Sequence, residues 1–185
     1  MKIRALTAAI TLVVLAACAS PEKPSGRMED VVESRATITA VDRSQRLVTL
    51  RDESGGEMVV EATDAVRNFD QIQVGDEVVV AYTEALAWQV KPAGEGAPGV
   101  STDEGVTRAK PGEKPSGTVG RSVTMTATIT AIDLAAGTVT LTGPGGNSRT
   151  IKARDPNNLR KVEVGDLVDI TYSEALAVAV KPVSK

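Results

Sequence analysis

Histidine is absent from all 185 residues of this chain. With it go the commonest general base and the commonest metal ligand, so histidine triads and histidine zinc sites are excluded. There is one cysteine, Cys18, and no disulfide can form within the chain. Aromatic residues are nearly missing as well: Phe69, Tyr82, Trp88 and Tyr172 are the whole set. The formal charge is −3. An acidic chain with so few stacking platforms makes a poor nucleic-acid binder, which needs a basic track and aromatic faces. No phosphate-binding loop, metal-ligand spacing or nucleophile motif is present. An enzyme is therefore not expected, nor a cofactor, nor a metal site. The apolar runs also fall short of the ~20 residues a membrane-spanning helix needs.

What is there begins with Lys2 and Arg4, followed by an uncharged stretch from Ala5 to Ala17 that ends in Leu15-Ala16-Ala17. That order is the charged region, apolar region and small-residue cleavage site of a secretory signal. Cys18 stands directly after the small residues, and this placement resembles a bacterial lipoprotein lipobox. The resemblance implies cleavage before Cys18, acylation of its thiol and new amino group, and a membrane partner reached through the lipid anchor. No free thiol then remains, and loss of Lys2 and Arg4 takes the charge to −5. Ala19 and Ser20 follow, with no acidic residue, as in lipoproteins held at the periplasmic face of the outer membrane.

The remainder is a tandem duplication. Glu22-Lys23-Pro24-Ser25-Gly26 recurs as Glu113-Lys114-Pro115-Ser116-Gly117, and Ala36 to Ala40 recurs as Ala127 to Ala131, both 91 residues on. After Asp155 the offset becomes 90, and Val74-Gly75-Asp76 matches Val164-Gly165-Asp166. The expected organisation is a signal peptide over 1–17, a lipidated tether over 18–32, β-barrel repeat 1 over 33–92, a Gly/Pro-rich linker over 93–122, repeat 2 over 123–182 and a tail over 183–185.

Within repeat 1, residues 34–41 alternate with a period of two, the mark of a half-buried strand. Asp42 to Gln45 turns the chain, 46–51 is a second strand, Asp52 to Gly56 is a hairpin tip, and 57–63 is a third strand. Residues 64–73 break the alternation and read as one helical turn capped by Asp64; repeat 2 has Asp155-Pro156 there, a cap followed by proline. Val74-Gly75-Asp76 turns into strand four, 77–82, and 86–91 is strand five. Three strands, a helical link and two strands is the order of an OB-like barrel, with an SH3-like barrel as the alternative. Units of about 60 residues bury little surface, so support from outside each barrel is expected: the copies packing together, or residues 105–125 adding a strand or wrapping.

The run Tyr82-Thr83-Glu84-Ala85-Leu86 and its twin Tyr172-Ser173-Glu174-Ala175-Leu176 joins strands four and five without the glycine, asparagine or proline that tight hairpins favour. Either tertiary contacts build the loop or the strand runs through with a bulge. Tyr82, Glu84, Leu86, Tyr172, Glu174 and Leu176 are the candidate binding residues, because the loop joining these strands in OB folds flanks the ligand face. The competing structural reading has the glutamates bonding nearby backbone amides, or the tyrosine hydroxyls. Asp42, Asp133, Asp76 and Asp166 read as turn residues.

Together, Ala36 to Asp42, Val48 to Leu50, Val74 to Val78 and Tyr82 to Leu86, each repeated in the second copy, resemble a family of small bacterial exported lipoproteins built on a repeated β-barrel unit. The resemblance implies an envelope location and carries no activity, so no catalytic residue transfers. A weaker similarity is to CusF-type periplasmic copper-binding OB proteins. Those use histidine, methionine and tryptophan; here Met58 and Trp88 are present in repeat 1, and Arg149 and Val178 replace them in repeat 2. The expected function is a non-enzymatic, periplasm-facing binding or envelope-interaction module whose partner is an envelope protein or a small ligand. The alternatives are periplasmic metal handling and a carboxylate-only enzyme, the latter requiring glutamates that converge in a pocket.

Overall fold

A computed structural model describes residues 22–182. The expected signal peptide, Cys18 and the tail at 183–185 lie outside the described residues. The fold is all-β, as the Val/Thr-rich alternation requires. Its strands are β1 (Ser25–Asp42), β2 (Leu47–Asp52), β3 (Glu57–Glu61), β4 (Glu77–Lys91), β5 (Gly99–Arg108), β6 (Ser116–Asp133), β7 (Thr138–Thr142), β8 (Ser148–Lys152) and β9 (Leu167–Lys181). Short 3-10 turns stand at Phe69–Gln71 and Pro156–Lys161.

Local chemistry explains the connections. Asp42 Oδ1 accepts from the amides of Ser44 (2.8 Å) and Gln45 (3.1 Å), and Asp133 Oδ1 does the same for Ala135 and Ala136. These are Asx turns. Each turn ends in a residue with positive φ: Gly137 at 68° in repeat 2, and Arg46 at 54° in repeat 1. Arginine is strained there by roughly 1–2 kcal/mol. Its guanidinium offsets this by donating to the carbonyls of Ala62, Thr63 and Val66 and by stacking 4.6 Å from the Phe69 ring centroid. Asp155 caps the second 3-10 turn through the Asn157 amide at 2.9 Å, with Pro156 following, as expected. Asp64 caps nothing; Asn68, in the left-handed region, opens the first turn instead. The repeats share a bulge, after Ile38 in β1 and after Ile129 in β6. It bends each long strand so that one half pairs inward and the other pairs with its hairpin neighbour.

The strands form one antiparallel sheet in the order β3-β2-β1-β4-β9-β6-β7-β8, with β5 also pairing β6. Its two halves mirror each other about the β4–β9 junction. Two tandem OB-like or SH3-like barrels, one per repeat, are expected; the sheet is instead single and does not close. The difference centres on residues 82–86. They form no loop. β4 and β9 are each continuous 15-residue strands, paired along their full length from Glu77↔Lys181 to Lys91↔Leu167 without a register shift. A hairpin turning at Glu84 would pair residue 77 with residue 91. Here 77 pairs with 181, the counterpart of 91 in the other repeat. The hairpin contacts survive at the same register, made between repeats instead of within one.

The cores follow the same exchange. One contains Ile38, Val48, Ala62, Phe69 and Ile72 of repeat 1 together with Val180 of repeat 2. The other contains Ile129, Val139, Leu159, Val162 and Val168 of repeat 2 together with Val90 of repeat 1. The two units are thus not independent. Asp76 and Asp166, expected only as turn residues, are buried to 4% and 3% exposure. Each does hold its turn, accepting from the Gln73 and Glu163 amides respectively at 2.8 Å. Each also takes a lysine from the opposite repeat: Lys23 reaches Asp166 at 2.6 Å, and Lys114 reaches Asp76. The stretches read as tether and linker are structured accordingly. β1 begins at Ser25, and the expected linker carries β5, mostly ahead of the 105–125 segment expected to add a strand, and the start of β6.

Two outcomes follow from the exchange. Residues 22–92 expressed alone should dimerise, because only a second copy supplies the valine and the lysine that repeat 2 provides; a monomer by native mass spectrometry would contradict the exchanged arrangement. Lys114→Met leaves the buried Asp76 carboxylate without its cation. Removing one partner of such a pair costs roughly 2–3 kcal/mol after allowance for the lysine's partial exposure. The melting temperature should fall by about 5–10 °C.

Candidate functional site

Register fixes which residues share a face, since directly opposed residues of antiparallel strands point the same way. The even-numbered residues of β4 and β9 lie on the face that carries both cores, Val78 and Val180 toward one end and Val90 and Val168 toward the other. Between the cores this face holds all six candidate residues. Tyr82 stands opposite Leu176, Glu84 opposite Glu174, and Leu86 opposite Tyr172. The sequence singled out these residues as two separate loops; the structure brings them into one patch on the two-fold axis of the duplication.

The centre is electrostatically unusual. Glu84 and Glu174 are repeat counterparts, and at this register each must face the other. Like charges directly opposed are destabilising. The phenols of Tyr172 and Tyr82 both donate to Glu84 Oε1, at 2.8 and 3.1 Å. The donors are therefore tyrosines; the backbone-amide alternative does not apply on a continuous strand. Arg121 of β6 stands opposite Glu174, and on its other side it pairs with Glu104 of β5 at 3.8 Å. Asp30 of β1 stands opposite Glu84. A row of Asp30, Glu84, Glu174, Arg121 and Glu104 thus crosses five strands. The hydrogen bond to Glu84, then burial and the same carboxylate's charge, push the Tyr172 phenol up to about 12. Tyr82 is raised for the same leading reason.

On either side of the acidic row the face is largely apolar and exposed, with the Arg154 guanidinium of the other repeat 3.6 Å from the Met28 sulfur. Met28, Val32, Leu86, Val119 and Leu176 are 50%, 64%, 37%, 59% and 46% exposed. The cross-strand rows Met28–Leu86–Tyr172–Val123 and Val32–Tyr82–Leu176–Val119 join them into a continuous band. Periodicity could not reveal this band. Met28 and Val32 fell in the segment read as tether and Val119 in the segment read as linker.

Two glutamates do converge, but on an open sheet face. Two hollows of the described surface lie elsewhere: one of about 540 Å³ includes Arg27, Gln89, Asp169 and Thr171, and another joins Glu33 and Arg35 to the Asp52–Ser54 turn. In the first, burial opposes ionisation of Asp169, but hydrogen bonds from Lys91 and Thr126 outweigh it and hold the carboxyl below its usual range. Met58 is exposed on β3, whereas Trp88 packs on the second core with its indole against Gly26, where a Cβ would come within 2.6 Å. The two residues of the copper-protein similarity thus lie on different strands of the first half, Met58 exposed on β3 and Trp88 on β4 packed on the second core. Among the described residues no three acidic or thiol side chains gather as a metal-binding group, and no helix is long and apolar enough to cross a membrane. No family model, curated protein or solved structure matches the chain.

The tyrosine cluster has a measurable titration. A phenol whose folded value is raised stabilises the fold fully below its ordinary value near 10 and loses that contribution as pH rises through the folded value. Spectrophotometric titration should show one tyrosine ionising near pH 12. Glu84→Gln should bring that value back toward the ordinary range and remove the stabilisation that the raised phenol contributes below its ordinary value. An unchanged titration would remove Glu84 as the cause.

Proposed function

We propose that this chain is a non-enzymatic lipoprotein of the bacterial envelope, anchored through acylated Cys18 at the periplasmic face of the outer membrane, and that it binds a partner protein across one face of its sheet. The resemblance to exported lipoproteins and the lipobox support the location. We read each half as an OB-like unit whose fifth strand comes from the other repeat; the conserved hairpin register between β4 and β9 supports this.

The observation that carries the binding reading is the apolar band around Glu84 and Glu174, continuous across β1, β4, β9 and β6 and outside both cores. Large exposed apolar patches rimmed by polar groups mark interaction sites. The Asp30–Glu84–Glu174 row gives the band a negative centre, which suits apolar side chains surrounding a cation and repels nucleic acid or an acidic surface. The band is broad and open, which favours a protein over an enclosed small ligand.

The test places a photo-crosslinking residue at Leu176, and separately at Arg149 on β8, in the full chain expressed in a bacterial envelope. The expected result is membrane-bound protein with an acylated N-terminal cysteine and a discrete protein adduct from position 176 but not 149. Unmodified protein in the soluble periplasm would remove the anchor, and equal adducts, or none, from both positions would remove the face.

A further inference from the structure

The duplication leaves the two halves of the sheet unequal at one edge. In repeat 2, residues 116–128 of β6 pair β9 on one side, and residues 117–126 pair β5 on the other. In repeat 1, the corresponding residues of β1 pair β4 on one side over 25–37, while β2 reaches only residues 36–42 of the other side. Among the described residues, the second edge of 26–35 is therefore uncovered. Met28, Val31 and Val32 on it are at least half exposed. An unpaired edge of this length presents a row of backbone donors and acceptors able to accept another strand.

The strand on the equivalent edge is the template for what fits. β5 sets Thr102, Glu104 and Val106 against Val123, Arg121 and Val119 on the band face. The counterparts 91 residues earlier are Val32, Asp30 and Met28. The flanking positions remain apolar, but the central charge is reversed. A strand added to β1 must place a cation where β5 has Glu104. On the opposite face the charges of β1 are already matched, Arg27 by Glu29 at 2.8 Å and Arg35 by both Glu33 and Glu77. Asp30 has no ion-pair partner among the described residues. A second copy is a poor occupant: its β5 sets Glu104 against Asp30, and β1 centred on itself sets Asp30 against Asp30.

We infer that residues 26–35 of β1 form a β-addition site for an extended segment of a partner protein carrying apolar, basic and apolar residues at alternate positions, the basic side chain facing Asp30. This deepens the proposed function and rests on it, since Asp30, Met28 and Val32 belong to the same band.

The probe is the capped peptide Thr-Val-Thr-Lys-Thr-Val-Thr, which reads the same in both directions, with a Glu-centred counterpart as control. Amide hydrogen exchange of the purified full chain at low salt should show the Lys peptide slowing exchange within 26–35. The Glu peptide should bind roughly three- to tenfold more weakly, as expected for reversing one cross-strand charge pair. Asp30→Lys should invert the preference. Equal affinities, no binding by either peptide, or slowing confined to β3, β5 or β8 would overturn the inference. If that happens while the Leu176 adduct persists, the edge is excluded and the binding face stands; if the adduct fails while β1 is slowed, the reverse holds.

Discussion

The structure depends on one pairing, the fifteen-residue antiparallel ladder between β4 and β9. Each repeat supplies strands enough for most of a small core, but the valine that completes that core arrives on the other repeat's strand. The lysine that neutralises each buried aspartate also arrives from across the axis. Neither half is finished alone. A unit of this size is marginal in any case, and sharing strands adds buried surface to both. The linker holds the two repeats at high effective concentration, so the exchange is completed within one chain.

The same pairing generates the chemistry at its centre. Antiparallel self-complementary strands force the residue on the axis to face its own counterpart, and here that residue is glutamate. Tyr82 and Tyr172 surround one carboxylate with two donors, so Glu84 and Glu174 are equivalent in sequence yet differ in bonding. The symmetry is broken elsewhere for equally local reasons. Arg46 replaces glycine at a positive-φ turn and recovers the strain through three carbonyls, while Trp88 replaces the valine of the second copy and requires Gly26 beneath it.

Duplication followed by divergence also accounts for where the molecule is open. A face that runs between two cores is left apolar because both ends of it must be buried and the strands are continuous. β5 covers one lateral edge of that face and has no counterpart on the other among the described residues. The proposed binding function is thus a property of the joined pair, not of either repeat.

The sequence by itself determined what is local. The repeat offsets, the period-two alternation, the Asx turns at Asp42 and Asp133 and the Asp155-Pro156 cap all depend on residues within a few positions of one another. It also flagged residues 82–86 as lacking any residue suited to a tight turn, and named the six side chains that meet at the centre. It misplaced them in two loops, assigned Asp64 a cap where the 3-10 turn opens at Asn68 with no side-chain cap, and read β1's first half and β5 as tether and linker. Only the tertiary structure decided whether strand five pairs with its own strand four or with the other's. Outside residues 82–86 both choices pair the same strand ends at the same register and bury the same valines, so the strand pattern of one repeat does not distinguish them. The difference lies in the turn: closing each hairpin would force Tyr-Thr-Glu-Ala-Leu into a bend with no glycine, whereas running straight leaves every residue in extended backbone and brings the two glutamates face to face.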